Sequence, residues 1–539
     1  MTNRALKSGI SREQPSFLPP KVEDYVDRKN PVRVIEYFVN GLDLVKLGFR
    51  HADRIGGGVG QPPYDPADLL KLYIYGYVNQ VRSSRRLERE AERNLELIWL
   101  LKGLRPGHRT IATFRQENWA AFKAANQAFV RLLRDMDLLS AVLVAIDGAF
   151  FHGDASKGSI TTSKKLGEQI AALDRDLEAY GKALEANDAS ESARSDRDPG
   201  EGGGGGDIAQ KIAALVAKRA RRQADLDRLE ASGETQLSRT DADARLLTKN
   251  GQKVAGYNVQ AAVDDKHDLI VASEVVNDGN DTGQLYEMAQ AAKEALGVET
   301  LQVVADLGFY NSATLKQCEE NGIVAFVPQP ERAGRLRAKG RFTHQEFTYD
   351  TTEDAYRCPA GSLLRPTPGR KTNTGGRLEI RYTSRKAECD ACPLRGRCLS
   401  KKADTRTVYR WEHEDVLERH RARMKDAGAM MRRRASVVEH PFGTLKCRAG
   451  YRHFLVRGFN KVRGEWSLMA LCYNFTRVLN ILGMDRFITH LANWAARTTF
   501  WLLRCGKAAL RRLTTALAAI ADEFTPKSST KRVCLHLIG

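Results

Sequence analysis

The sequence predicts an α/β chain: a mixed sheet with flanking helices, preceded by an all-α segment and broken by two insertions. Three observations lead there. Residues 142–151 (V-L-V-A-I-D-G-A-F-F) and 301–309 (L-Q-V-V-A-D-L-G-F) are short apolar, β-branched runs of the kind buried on both faces of a sheet. Two more strand-like runs, 254–264 and 268–276, meet at a polar turn of Asp264, Asp265, Lys266 and His267 and should form a hairpin beside the first run. Helical patterns then alternate with strands as far as residue 327, which completes the order β-β-β-α-β-α-β, whereas from Pro31 to about residue 137 apolar residues recur at helical spacing.

Taken in order, residues 1–25 are polar, contain Pro19 and Pro20, and read as an extended, mobile tail. The helical domain expected over 26–137 opens with Val34, Ile35, Phe38 and Val39 on one face, then a Gly-rich loop at 56–63, then a helix marked by Leu69, Leu70, Tyr73 and Tyr77. Ser83 or Ser84 can cap the next helix, whose stripe of Leu87, Ala91, Leu95, Ile98 and Leu101 runs beside Arg85, Arg86, Arg89 and Arg93. A short turn through Gly103, Pro106 and Gly107 leads to Thr110, an N-cap for a helix carrying Ile111, Phe114, Phe122 and Phe129. Two helices across a Gly-containing turn, with cations alongside, suggest a helix-turn-helix-like module in which Arg85, Arg86 and Arg89 contact DNA. A helical bundle with a solvated, salt-bridged arginine face fits the same pattern.

The sheet domain expected over 138–484 is interrupted twice. Ile170, Leu173, Leu177, Tyr180 and Leu184 form a coiled-coil seam, resumed by Ile208, Ile212, Leu215, Leu226 and Leu229 after a glycine turn at 202–206. This predicts an antiparallel helical hairpin inserted at 161–236, with Arg219 and Arg222 breaking the seam. Asp281 and Thr282 stand where a helix begins, and Asp281 reads as its cap. The second insertion, 330–410, is basic and Gly-rich and holds Cys358, Cys389, Cys392 and Cys398. A C-x₂-C pair with a further Cys on each side suits a structural Cys₄ zinc site, the more so where few apolar residues hold the segment by packing. Reduced cysteines in a small packed subdomain are the alternative. Residues 485–539 read as a helical basic tail.

Composition narrows the partners. The formal net charge is +19, from 85 Lys plus Arg against 66 Asp plus Glu, which favours a polyanion. The N-terminus lacks the apolar core of a signal peptide, and no apolar run approaches the length of about eighteen residues that a membrane span needs. Nine cysteines, four of them clustered, suit a reducing cytoplasm better than a disulfide framework.

Three acids carry the chemistry. Asp147 and Asp306 sit near the ends of apolar strands, each with a Gly close behind, and a buried carboxylate is costly unless paired or bound to metal. Glu439 lies in V-V-E-H-P-F-G-T-L-K after a long amphipathic stretch, with Arg432, Arg433 and Arg434 one to two turns before it, where they could hold phosphates. Lys446, seven positions after Glu439, shares its face if the helix persists, although Pro441 should kink or break it. Two strand-end aspartates and a helical glutamate are the components of a two-metal phosphoryl-transfer site.

I-D-G-A-F, V-V-A-D-L-G-F-Y and V-E-H-P-F-G-T-L-K, in this order, resemble the catalytic motifs of cut-and-paste DDE transposases of bacterial insertion sequences, over roughly residues 17–482. The resemblance implies a ribonuclease-H-like core, matched by the order of elements, in which the first and fourth strands are neighbours and bring Asp147 and Asp306 side by side. It implies an N-terminal helical domain, catalysis by Asp147, Asp306 and Glu439 with Mg²⁺ or Mn²⁺ bound, and cleavage and transfer of DNA strands. The implied partners are terminal inverted repeats, target DNA and a second copy of the chain. Some related transposases carry a Tyr and an Arg at fixed spacing before the Glu and Lys. Here Arg432 and Ala435 stand in those places, so only the Glu and Lys match. A ribonuclease-H-like nuclease without strand transfer, and a non-catalytic DNA-binding descendant of a transposase, are the alternatives.

Overall fold

The computed structural model describes residues 21–53, 62–194, 205–249, 251–331, 334–372 and 376–524. The chain divides into two compact units, one of Met1–Ala128 with Asn474–Gly539, the other Phe129–Tyr473.

The first unit is helical. A single 3₁₀ turn, Val22–Tyr25, precedes the helix Val32–Asn40, which buries Val34, Ile35, Phe38 and Val39. Asp65 caps the helix Pro66–Val78 by accepting the Ala67 N–H. The stripe expected to run unbroken to Leu101 is split. Ser84–Arg93 ends at Asn94, whose side chain accepts the Glu96 N–H and starts a separate short helix, Leu95–Leu100. His108–Glu117 then begins at Gly107, so Thr110 lies inside the helix and is not its cap. That helix too ends at an asparagine: Asn118 is buried and accepts the Arg50 N–H at 2.8 Å. In both places a side-chain amide competes with the helical backbone for hydrogen bonds, the usual reason Asn ends helices. Residues expected in a C-terminal tail are core here: Phe38 stacks on Trp494 with ring centroids 6.1 Å apart, and Phe475 packs on Phe487 at 5.4 Å.

The second unit is organised by β1 (Leu143–His152). A two-residue ladder, β2 (Ile160–Thr161) with β3 (Leu237–Ser238), closes the base of the first insertion. Then come β4 (Arg245–Lys249), β5 (Gln252–Asp264), β6 (Leu269–Val276), β7 (Leu301–Val304) and β8 (Ile323–Phe326). The sheet order is β4-β5-β1-β7-β8, with β6 also paired to β5. β5 runs antiparallel to β1, and β7 and β8 run parallel to it. The strand β4 was not expected. Entry into β1 is tied by buried Asp264, which accepts the N–H groups of Ser140 and Ala141 at 2.9 and 3.0 Å. Gly256 lets β5 pass close to β1: a Cβ there would stand 2.0 Å from the Phe151 carbonyl oxygen.

The first insertion is a pair of helices, Ser163–Arg194 and Gly205–Ser232, packed along each other. Leu166, Ile170, Leu173 and Leu229 are buried near the base. Arg219, expected to break the seam, instead pairs with Asp174 across it. The glycine turn falls mostly outside the described residues, with Gly205 and Gly206 opening the second helix.

The second insertion departs from expectation. It holds an antiparallel five-stranded sheet, β9 (Thr348–Asp350), β10 (Ala355–Arg357), β11 (Leu363–Thr372), β12 (Leu378–Thr383) and β13 (Thr407–Trp411). Its own core is Phe347, Tyr356, Leu364, Tyr382 and Val408. Three aromatics supply the buried area that a count of apolar residues understates.

Because the β2–β3 ladder already brings the two ends of the first insertion together, residues 163–232 should be dispensable for folding. Replacing them with a short Gly/Ser linker should leave the thermal transition of the remaining protein within a few degrees of its original midpoint, as read by calorimetry.

Candidate active site

The register of β1 and β7 builds the site. Ala145 pairs with Val304 in parallel strands, and each aspartate lies two residues further on, Asp147 within β1 and Asp306 just past the end of β7, so both emerge at the same end of the sheet. Asp147 Oδ1 accepts the Gly148 N–H at 2.8 Å, and Oδ2 stands 3.5 Å from Arg434 Nη1. Its side chain is 21% exposed, and burial holds its pKa above the ordinary carboxylate value. Arg434, the Gly148 N–H and Lys249 oppose that shift, while the charge of Asp306 adds to it. Asp306 caps the 3₁₀ turn Leu307–Phe309, its Oδ1 accepting the Gly308 N–H at 2.9 Å.

Arg434 arrives from the helix Gly428–Gly443, which follows Glu414–Lys425 after a break at 426–427. Val437, Val438 and Phe442 bury one face of this helix, and Phe442 packs on Phe151 with centroids 6.3 Å apart. The helix runs straight through Pro441 into a π-helical turn, Thr444–Arg448. The helix thus continues past Pro441, where a break was expected, and widens only at Thr444. The widening undoes the shared face: Lys446 turns inward, Nζ 4.5 Å over the Phe151 ring, whereas Glu439 is exposed. The structure thus brings Asp147, Asp306, Arg434 and Lys446 together, and leaves Glu439 exposed on the helix that carries Arg434. Burial pushes the Lys446 ammonium down to about 8, with Lys249 adding to the shift and Asp147 opposing it.

The three arginines do not act as one row. Arg434 serves Asp147, Arg433 reaches Asp265 with its carboxylate 4.0 Å away, and Arg432 is exposed. In the helical unit, Arg85, Arg86 and Arg89 are exposed on Ser84–Arg93, opposite buried Leu87 and Ala91. That helix is joined to His108–Glu117 by Glu88, which accepts the His108 N–H at 3.0 Å. The first of the two expected helices is split at Asn94, with Leu95–Leu100 as its second piece, and the turn at 101–107 lies where it was expected.

Sequence reasoning missed one group. Asp281 does not cap a helix: its buried carboxylate accepts Asn258 Nδ2 at 2.8 Å and Gln260 Nε2 at 2.6 Å, both on β5. Gln260 lies opposite Gly148 in the strand pairing. Lys249 Nζ lies 3.7 Å from Asp281 Oδ2 and 3.4 Å from the Gly148 carbonyl oxygen. The signal was present, two amides at two-residue spacing in an otherwise apolar strand, so both face one side.

Cys358, Cys389, Cys392 and Cys398 line a single cavity of about 30 Å³. Burial raises the Cys398 thiol, and Cys389, Cys358 and Cys392 add to the shift, so the four feel one another. Among the described residues, no three His, Cys, Asp or Glu side chains are already arranged to hold a metal ion. No described helix is long and apolar enough to cross a membrane.

Comparison with known families now bears on this geometry. A family model described as a transposase DDE domain matches residues 357–479, and one described as a transposase domain matches residues 20–117. Both matches are consistent with a DDE transposase of the insertion-sequence type. The DDE-domain match includes the four cysteines, Glu439 and Lys446, and does not extend to Asp147 or Asp306. Comparison with curated proteins gives no match. A solved structure, the cryo-EM structure of a piggyBac transposase synaptic complex with hairpin DNA, aligns over 94% of this chain and 87% of that one, at 8% identity and a TM-score of 0.29. A similarity that low carries no argument here.

The raised Asp147 pKa fixes a sign. Between the unfolded value of about 4 and the higher folded value, the folded protein binds more protons, so its stability falls as pH rises through that window. Asp147→Asn should therefore melt higher than the wild type at pH 7 in metal-free buffer, with the gap closing as the pH is brought below about 4. Thermal melts at the two pH values check this.

Proposed function

We propose that this transposase binds the ends of the element that encodes it, cuts DNA strands in a metal-dependent reaction and joins them to target DNA. One observation carries the reading: two aspartates at the same end of adjacent parallel strands, one desolvated and raised further by the charge of the other. The sheet, with three strands running β6-β5-β1 antiparallel and β7 and β8 parallel to β1, supports a ribonuclease-H-like core.

The donor set fits a hard divalent cation. Asp147 Oδ2 has an arginine at 3.5 Å as its ion-pair partner, and Arg434 Nη1 is itself buried without a hydrogen bond. The carboxylate thus keeps an oxygen available, and carboxylate oxygens with open positions for water and phosphate suit Mg²⁺ or Mn²⁺. Asp147 and Asp306 would hold the metal, with Glu439 completing the set. Bound there, it supplies activation of a water or a DNA 3′-hydroxyl and stabilisation of the leaving oxygen. The chain's own residues do the rest. Arg434 and Lys446 present cations beside Asp147 for phosphate oxygens of the reacting strand. Arg432 and Arg433, and separately Arg85, Arg86 and Arg89, offer exposed charge to the DNA backbone. Holding two element ends together calls for a homodimer.

For the cysteines, we propose one structural zinc held by Cys358, Cys389, Cys392 and Cys398. Their shared cavity has about the volume of one ion or water, and four thiolates suit tetrahedral zinc. Because the adjoining sheet has its own core, zinc removal should loosen 386–399 without unfolding β9–β13. Elemental analysis should find one zinc per chain, lost in Cys392→Ser. Zinc-free protein with four freely reacting thiols would refute the assignment.

Asp306→Asn tests the acids. It is nearly isosteric, so folding should survive, while cleavage with Mg²⁺ should fall by at least about a thousandfold, in line with loss of an essential catalytic group. Binding to a duplex carrying the DNA that borders the gene should persist, since cationic surfaces supply it. Folded Asp306→Asn that cuts at the wild-type rate would overturn the site. Product analysis separates transfer, which yields joined strands, from simple nuclease action.

A further inference from the structure

The contacts around Asp281 point to a component of the site outside the three acids. Asn258 and Gln260 are fully buried in β5 and each donates an amide N–H to Asp281 Oδ1, with Asn258 Nδ2 donating also to the Asp278 carbonyl oxygen at 3.2 Å. Their own oxygens, Asn258 Oδ1 and Gln260 Oε1, are left buried with no donor. Two unsatisfied buried acceptors are costly, so the donors the pair gives Asp281 Oδ1 come at the expense of its own acceptors. The clamp also explains Gly148. A Cβ at that position would stand 2.5 Å from Asp281 Oδ1 and 2.5 Å from Gln260 Nε2, so the residue after Asp147 must have no side chain.

Clamped in this way, Asp281 turns its second oxygen to a single cation. Lys249 Nζ lies 3.7 Å from Oδ2 and 3.4 Å from the Gly148 carbonyl oxygen. These two anchors hold the ammonium at the edge of the Asp147 strand, while the Lys249 side chain stays 45% exposed. Its charge acts on both Asp147 and Lys446, which puts it within the same electrostatic site. An ammonium fixed on one side and open to solvent on the other, next to a carboxylate that takes part in phosphoryl transfer, has donors left for an anionic oxygen.

We propose that Lys249 binds a phosphate of the DNA strand beside the scissile position, and that Asp281, clamped by Asn258 and Gln260, is the positioning residue that aims it. The proposal rests on the DNA-cleaving reading above. It adds a substrate contact from β4, a strand outside the three acid motifs.

The test uses the full chain and a duplex carrying the DNA that borders the gene, with binding measured over a range of salt and cleavage measured with Mg²⁺. Lys249→Ala should lower the salt dependence of binding by about one phosphate contact and slow cleavage about tenfold to a hundredfold, the worth of one charge-assisted hydrogen bond. Lys249→Arg should keep most of both. Asp281→Asn retains an oxygen for the two amides and loses only charge toward Lys249, so it should fold and reproduce the Lys249→Ala defect. The double variant should be no worse than Lys249→Ala alone. Lys249→Ala with wild-type salt dependence and cleavage would overturn the assignment. So would an Asp281→Asn defect that persists in full in the Lys249→Ala background, since Asp281 would then act by itself. If Asp281→Asn fails to fold, the two Lys249 variants decide, because they leave the clamp intact. A wild type that binds this DNA without cutting it refutes the cleavage reading instead, while the salt dependence still reports on Lys249.

Discussion

Burial of β1 is the constraint on which the larger unit depends. The strand lies between β5 and β7 in the sheet, so its backbone hydrogen bonds are made on both edges. An apolar strand in that place can carry a carboxylate only at its end and only with compensation nearby. The compensation takes three forms: the Gly148 N–H, the Arg434 guanidinium and the more distant Lys249 ammonium. Each comes from a different element, the N–H from β1 itself, so Asp147 is fully compensated only once β4 and the helix Gly428–Gly443 have assembled around it.

Phe151, four residues along the same strand, does for packing what Asp147 does for charge. Its ring meets Phe442, Phe454 and Trp466 at centroid distances of 6.3, 5.8 and 5.4 Å, and Lys446 lies over it. Backbone hydrogen bonds extend the grip, with the His152 N–H donating to the Arg452 carbonyl at 3.0 Å and the Phe454 N–H to the His152 carbonyl at 2.9 Å. The helix bearing Arg434 is thus oriented by an apolar cluster on one part of β1, and its guanidinium is delivered to the other. Burying an aromatic side chain is worth on the order of 2–3 kcal/mol, several times an exposed ion pair, so the aromatics set the helix and the arginine follows.

The insertions obey separate rules. The hairpin is closed at its base by a two-residue ladder and buries little beyond that end, with Val216 and Tyr180 exposed, as expected of a projecting element. The second insertion forms its own sheet around Tyr356 and Tyr382, whose rings meet edge-on at 5.2 Å. Its cysteines sit beside that core, and Cys358 and Cys398 pack against it, so a metal there would finish a fold that aromatics already hold.

Periodicity in the sequence alone determined the strands at 142–151, 254–264, 268–276 and 301–304 and the helical hairpin, because alternation and apolar runs are local properties that burial enforces directly. The resemblance to DDE transposases agrees with the family models that match residues 20–117 and 357–479. Helix ends at Asn94 and Asn118 were legible in principle, since a side-chain amide that caps or competes is also local. What only the tertiary structure decided is which groups meet. Arg434 and not Arg432 or Arg433 reaches Asp147, because helix rotation is set by Val437, Val438 and Phe442 packing on the sheet. Lys446 leaves the Glu439 face because a π turn follows Pro441. Asp281 looks like a cap in one dimension, and becomes a clamped anion only when β5 brings Asn258 and Gln260 beneath Gly148. Charges and amides act over a few ångströms in space, and residues 101 positions apart, such as Gly148 and Lys249, become neighbours only through the register of the sheet.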